Sequence, residues 1–228
     1  MTTRRVNLNT ESVDNYLKAI FTLGGPGEAR VTSNALAERL GVAGASITNM
    51  LQKLAASSPP LVEYERHKGA RLSVAGRRRA LEIVRHHRLL EAFLFEVLDY
   101  PIEEVHDEAE RLEHFISERF EERIDAKLGR PKFDPHGHCI PALDGKMPKQ
   151  VSQLLTSLEH PGKYVVDSVP DQDAQLLKQL KAHNVVPGTQ VQVTIRPEEF
   201  MLRADNAPQT LHLPRVLAGA VWVRPSSR

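Results

Sequence analysis

The chain has 228 residues, 41% of them hydrophobic, with 30 basic and 29 acidic side chains and a formal net charge of +1. That length suits one large domain or two to three small ones with real cores, and the balance of charge excludes a globally basic surface, so any nucleic-acid-binding face must be local. A single cysteine, Cys139, excludes a disulfide within the chain and fits a reducing cytosol, no run approaches the ~18 apolar residues of a membrane span, and the opening MTTRRVNLNTES lacks an apolar signal stretch.

The first predicted element is a helix capped by Thr10 or Ser12, with Val13, Leu17, Ile20 and Leu23 inward, ended by Gly24-Gly25-Pro26-Gly27. Thr32 or Ser33 then caps a second helix with Ala35, Leu36 and Leu40 on one face, and Gly41 stops it. A third helix begins near Gly44. It buries Ile47, Leu51 and Leu54, and its other face carries Ala45, Ser46, Thr48, Asn49 and Gln52, small and uncharged. Helix, glycine turn and a helix with a small polar face make a helix-turn-helix, in which such side chains hydrogen-bond to base edges. A helical hairpin with a merely solvated face reads the same way, and the next segment decides between them. Leu61–Tyr64 and Arg71–Val74 alternate as strands around a basic turn with Gly69, which makes a wing whose Arg66, Lys68 and Arg71 are placed to meet phosphate. Arg77–Arg79 read as the polar start of the next helix, because the buried stripe at Leu81 and Val84 follows directly.

From Val84 to Glu122 two helical segments meet at Asp99-Tyr100-Pro101, with Pro101 suited to the first turn of the second. The first carries His87 and Glu91. The second carries His106, Glu110, Glu113 and His114 within one arc of about 100°, beside the apolar arc of Val105, Ala109, Leu112 and Ile116. If the helices pack, His87 and Glu91 face His106 and Glu110. Imidazole and carboxylate at helical spacing make a divalent-metal site, and six candidate ligands on adjacent helices outweigh the alternative of solvated ion pairs.

Beyond Lys127-Leu128-Gly129, prolines and glycines mark the end of the helical region and a linker. His136, His138 and Cys139 there read as structural, since two His and one Cys on a loop are too few for a closed zinc site. The rest is mainly β. Strands are predicted at Tyr164–Val169, Thr189–Ile195, Phe200–Leu202, Leu211–Leu213 and Val216–Val223, with a short helix at Ala174–His183.

The winged helix up to LSVAG (Leu72–Gly76), with HRLLE (His87–Glu91), VHDEAERLEH (Val105–His114) and PHGHCIP (Pro135–Pro141), resembles the diphtheria toxin repressor family of iron- and manganese-dependent transcriptional repressors over nearly the whole chain. The resemblance implies two metal sites. One uses His87, Glu91 and His106, completed by two side chains from the C-terminal domain. The other uses Glu110, Glu113 and His114 with a first-helix residue, here Asn15. Iron-type members carry Met at the Asn15 position and short manganese-type members Asp, so Asn15 departs from both. Lys18 stands where some short manganese-type members have a carboxylate. Glu110 replaces a cysteine of the iron-type members and leans the site towards hard Mn2+. In the tail, alignment on Leu180-Lys181 puts the iron-type Glu and Gln ligand positions at Ser168 and Asp171. Asp167, Asp171 and Asp173 are all possible oxygen donors there, and Asp171 is the expected one.

The expectation is therefore a mostly α chain with a β tail: a winged helix-turn-helix (1–75), a helical metal-binding and dimerisation domain (76–145), a linker (146–163) and a small SH3-like, FeoA-like barrel (164–228). The resemblance implies a cytoplasmic, homodimeric repressor of metal-homeostasis genes, not an enzyme. Activated by Mn2+ or, alternatively, Fe2+, it would read an inverted-repeat DNA operator through Ser46, Thr48, Asn49 and Gln52 and phosphates through Arg66, Lys68 and Arg71. Zn2+, Co2+ and Cd2+ are expected to substitute in vitro. The metal would tie the first helix and the tail to the helical core and so fix the spacing of two recognition helices. Two other classes stay open. One is a helical di-metal carboxylate enzyme, suggested by Glu103-x-x-His106. The other is a DNA-binding protein with a purely structural metal site.

Overall fold

The computed structural model of the chain describes residues 11–25, 28–207 and 209–226. It divides into two compact units, Met1–Arg85 with Pro141–Lys146, and His86–Ile140 with Met147–Arg228.

In the first unit, α1 (Glu11–Gly24), α2 (Ser33–Leu40) and α3 (Gly44–Ala55) pack with the antiparallel pair β1 (Val62–Glu65) and β2 (Gly69–Leu72). The core is Val13, Leu17, Ile20, Leu36, Ile47, Leu51 and Leu54, the residues that helical spacing puts on one face of each helix, with Val62 from β1. Because α1 begins at Glu11, Ser12 lies inside the helix, while the alternative cap Thr10 and the turn residues Pro26 and Gly27 fall outside the described residues. Leu23, expected inward, is 41% exposed in the last turn of α1, where the helix has run past the core. Thr32 caps α2 by accepting the N–H of Ala35, and Gly41 ends it at φ 64°, its N–H donating to Ala37 O. The wing registers Glu63 opposite Arg71 and Glu65 opposite Gly69. Gly76 packs under it so closely that a Cβ would stand 1.8 Å from Leu61 O.

The long α4 (Val74–Leu98) takes in Arg77–Arg79, starts in the first unit and ends in the second. It stops at Asp99, whose φ of 57° turns the chain left-handed, and Tyr100 N–H caps Leu94 O. The segment expected to be one second helix is two. Pro101–Glu104 form a turn closed by Glu104 N–H to Pro101 O, so Pro101 precedes the helix and does not open it. Then come α5 (Val105–Leu112) and α6 (Glu118–Lys127), the latter restarted by Ser117, which accepts the N–H of Phe120. Val105 and Ala109 are buried with Leu89, Leu90, Leu94, Ile124 and Ile140, whereas Leu112 and Ile116 are only partly covered.

The second unit also holds an antiparallel six-stranded sheet of order β3-β8-β4-β5-β6-β7. Its strands are β3 (Gln153–Leu154), β4 (Gly162–Ser168), β5 (Gln190–Ile195), β6 (Glu199–Ala204), β7 (Leu211–Pro214) and β8 (Trp222–Pro225). Helix α7 (Ala174–Ala182) buries Leu176, Leu177 and Leu180 in its core, as period and spacing predict. Two differences stand out. The predicted strand Val216–Val223 is a short helix, α8 (Arg215–Ala218), followed by β8, because Pro214 and Gly219 bracket one helical turn. And β3, with a 3-10 turn at Leu155–Ser157, puts Leu155 and Leu158 into the sheet's core from within the stretch read as linker.

Candidate metal centre and DNA-binding surface

His87 and Glu91 lie one turn apart on α4, His106 and Glu110 one turn apart on α5, and Glu113 and His114 where α5 ends. The first set meets as expected. His87 Nε2 is 3.0 Å from Glu91 Oε1 and 3.1 Å from His106 Nδ1, and His106 Nδ1 is 3.2 Å from the same carboxylate oxygen. The second set is not separate from the first. His87 Nδ1 lies 2.6 Å from Glu113 Oε2, whose Oε1 is 3.2 Å from His114 Nε2. Glu110 Oε1 stands 3.8 Å from His106 Nε2 and groups with His87 and His106. Asn15 lies half-buried on α1 in the first unit.

Of the aspartates in the tail, Asp171 reaches the cluster: its Oδ2 is 3.9 Å from His106 Nδ1. Asp173 instead caps α7, accepting the N–H of Leu176, and Asp167 pairs with Arg224 at 2.8 Å. Ser168 is buried in β4.

The loop read as structural does pack against the helices, with His136 Nε2 3.0 Å from Ile102 O. That bond leaves Nδ1 facing the metal cluster, 3.7 Å from Glu91 Oε1. Beside it, His138 Nδ1 is 3.5 Å from Asp134 Oδ2 and 3.7 Å from Asp171 Oδ2. Sequence reasoning set His136 and His138 aside as structural and passed over Asp134. Their spacing, Asp134-x-His136-x-His138, falls on a tight turn closed by Gly137 N–H to Asp134 O. Gly137 seats the loop: at φ 86° it lies so close to β4 that a Cβ would stand 1.9 Å from Asp167 O.

These residues fit a divalent cation. Glu91 Oε2, Asp134 Oδ2, His136 Nδ1 and His138 Nδ1 are buried with no hydrogen-bond partner among the described residues, an arrangement that costs free energy unless a cation satisfies it. The nearest charged partners of the Asp134, His136 and His138 atoms stand 3.5–3.7 Å away, at or beyond the limit of a hydrogen bond. Two ligands ~2.1 Å from one ion stand about 3–3.5 Å apart, close to what is seen. Electrostatics agree. Burial works to raise the Glu91 carboxyl, but the His87 charge and contacts from His106, His136 and His87 hold it well below the usual range. Burial works to keep His136 neutral, but Glu91, with Asp134 and Asp171, pushes its pKa up to about 9. His138 is raised in the same way, against burial, by Asp134 and Asp171. Asp171 is lowered, also against burial, chiefly by His138.

On the first unit, Ser46, Asn49 and Gln52 are exposed along α3. Thr48 is half-buried and its hydroxyl donates to Gly44 O at 3.1 Å. In the wing Arg66 is exposed, Lys68 pairs with Glu65 at 2.8 Å, and Arg71 pairs with Glu63 at 2.6 Å.

A winged helix-turn-helix joined through one long helix to an imidazole–carboxylate cluster, with a small β domain contributing Asp171, is the build of a metal-dependent DNA-binding regulator. Models of the iron dependent repressor match its N-terminal DNA binding domain to residues 9–70 and its metal binding and dimerisation domain to 73–142, and a FeoA domain matches 153–225. The iron-dependent repressor IdeR of Mycobacterium leprae is 30% identical over 93% of this chain and 96% of its own. A solved manganese-dependent transcriptional repressor in complex with manganese is 36% identical, with TM-score 0.83 over 92% of this chain and 98% of its own. ScaR with bound Zn2+ is 29% identical, with TM-score 0.78 over 92% of this chain and 98% of its own. The chain belongs to the family of metal-dependent transcriptional repressors that includes IdeR and diphtheria toxin repressor.

Proposed function

We propose that the protein is a Mn2+-activated repressor of metal-homeostasis genes, acting as a twofold dimer on an inverted-repeat operator. The observation that carries the choice of ion is the donor set: carboxylate oxygens and imidazole nitrogens, with the carboxylate of Glu110 where iron-type relatives have a thiol. Hard Mn2+ suits such a set better than a thiolate site would. The solved manganese-dependent repressor supports the same lean.

His87, Glu91, His106 and Asp171 would hold one ion, with His136, Asp134 and His138 supplying further donors from the loop. Glu113 and His114, with Glu110 between the two sets, would hold the other. A bound divalent cation supplies the positive charge that the carboxylates now draw from protonated imidazoles. His106 and Glu91 draw helix and helix together, while Asp171 ties the β domain to them. Such ordering favours one arrangement of the chain over looser ones, and the ion's differential affinity for that arrangement sets the shift. Ser46, Asn49 and Gln52 would read bases, with Thr48 beside them, while Arg66, Lys68 and Arg71 would exchange their contacts for phosphate. Dimer symmetry would then mirror the operator's.

The test is an anaerobic titration of operator-DNA affinity with Mn2+, Fe2+ and Zn2+, repeated with chelator. Affinity that rises with Mn2+ and collapses with chelator supports the proposal. Equal affinity in both conditions would mean a purely structural site. Turnover of an oxidisable substrate by the Fe2+-loaded protein, with no metal effect on DNA, would favour a helical di-metal enzyme.

A further inference from the structure

The loop after α6 builds a donor set of its own. Asp134 Oδ1 accepts the main-chain N–H groups of His136 and His138, each at 2.9 Å, which closes the turn and leaves Oδ2 over. That Oδ2 is buried without a hydrogen-bond partner among the described residues, and so are His136 Nδ1 and His138 Nδ1. Asp134 is 6% exposed and His136 0%. The Nε2 of His136 is taken by Ile102 O at 3.0 Å, so the neutral ring carries its proton there and presents a lone pair at Nδ1. Donor atoms of Asp134, His136 and His138 lie within 4.8 Å of one another, and those of Glu91, His106 and Asp171 form another such group. Asp171 stands between the groups, its Oδ2 3.7 Å from His138 Nδ1 and 3.9 Å from His106 Nδ1.

We propose that Asp134, His136 and His138 bind a divalent cation of their own, beside the ion at Glu91 and His106, with Asp171 bridging the two. This rests on the metal-regulator reading above and adds an ion to it. One carboxylate oxygen and two imidazole nitrogens are ligands that Mn2+ and Zn2+ both take, and three of them make an open site whose other positions fall to water. Three unpaired polar atoms buried in one turn cost free energy, and a cation among them recovers it. The bridging carboxylate lowers the repulsion between ions that, in two-metal sites, stand about 3.5–4 Å apart. Arg88 Nε lies 3.7 Å from Asp134 Oδ2. Its fixed positive charge opposes another one there, so the loop binds its ion more weakly than the Glu91 group does and fills at higher Mn2+ concentration.

The experiment is a Mn2+ titration of the full chain, with bound ions counted from the electron paramagnetic resonance signal of free Mn2+ and circular dichroism as the folding control. Wild type should take up one ion per chain more than His138→Ala, in a later and weaker phase. Asp134→Asn should lose the same phase. Its side-chain oxygen still accepts the two N–H groups of the turn, so it covers the case in which His138→Ala does not fold. The earlier phase should not weaken in either variant. Equal counts in wild type and both variants overturn the proposal, since an ion that survives them is adventitious or held elsewhere. An unchanged count with an earlier phase weakened about 10-fold or more also overturns it, because His138 would then serve the ion at Glu91. These measurements count ions. Failure of the repressor reading would instead appear as wild-type protein whose DNA affinity ignores Mn2+, whatever the count.

Discussion

Replacing Glu91 by Gln keeps the size of a buried side chain and removes the charge at the middle of the cluster. In the metal-free protein the Glu91 carboxylate is the main reason that His136 titrates at about 9 and not at its ordinary 6.5. That difference, 2.5 pK units, amounts to about 3 kcal/mol of preference for the charged ring. A raised imidazole contributes its stabilisation in full below pH 6.5 and loses it as pH climbs through about 9. The lowered Glu91 carboxyl contributes above its ordinary 4.5 and loses its share as pH falls through the depressed value. Both describe one ion pair and count once, so in the metal-free protein the pair is at full strength between those ordinary values. Metal binding runs the other way, because a ligating ring must be neutral. Through His136 alone, Mn2+ affinity should rise about tenfold per pH unit from the ordinary imidazole range up to about 9 and then level off. In Glu91→Gln, burial should return His136 to its ordinary value or below. The assay is an imidazole NMR titration of the metal-free protein, with Mn2+ affinity followed anaerobically across the same range. A wild-type His136 titrating at or below 6.5, or a raised value that survives Glu91→Gln, would refute the reasoning.

Three further outcomes follow from the geometry. His87 touches Glu91, His106 and Glu113, so His87→Ala should lose at least as much Mn2+-dependent DNA affinity as Glu110→Ala, and both should abolish most of it while circular dichroism shows an intact fold. A folded Glu110→Ala protein with the wild-type metal response would remove Glu110 from the switch. Asn49→Ala should cost ~1–3 kcal/mol of sequence discrimination in operator-variant binding, whereas Lys68→Ala should weaken all sequences alike and flatten the salt dependence. The same sequence-independent loss in both would misplace the recognition helix. Gly137→Ala should destabilise the fold by about 3 kcal/mol or more in urea unfolding, since its Cβ meets Asp167 O at 1.9 Å in a left-handed backbone. A cost under about 1 kcal/mol would show that the loop can retreat from β4.

Most of the fold was legible because local rules and tertiary packing agree. Thr32 and Gly41 bracket α2 by capping chemistry alone, and Ile47, Leu51 and Leu54 bury the face that period 3.6 assigns them. The elements that escaped are those in which a few residues answer to distant partners. The run from Val105 to Glu122 reads as one helix because its apolar spacing continues past Leu112. It breaks where Phe115 N–H turns back to Leu112 O and Ser117 starts a new helix. Val216–Val223 has strand-like composition, but its first residues lie between Pro214 and Gly219, where α8 forms, and only Trp222 and Val223 join β8. Leu155 and Leu158 carry no periodic signal, yet the sheet's core needs them.

The candidate site divides along the same line. Candidate ligands paired by helical spacing, His87 with Glu91 and His106 with Glu110, were visible from the sequence. The loop residues His136 and His138 were visible only as structural, because a loop's aim is set by what seats it. Here Gly137 presses the loop against β4, and His136 bonds Ile102 O with one nitrogen, which turns the other towards Glu91. That arrangement also explains how the centre can act as a switch. The carboxylates of Glu91, Asp134 and Asp171 face the rings of His106, His136 and His138 and raise the affinity of the latter two for protons. A cation must displace those protons, so part of its binding free energy goes into releasing them. Metal affinity therefore falls as pH drops. An oxygen–nitrogen site weakened in this way responds to a change in free metal concentration, where a tighter one would stay filled.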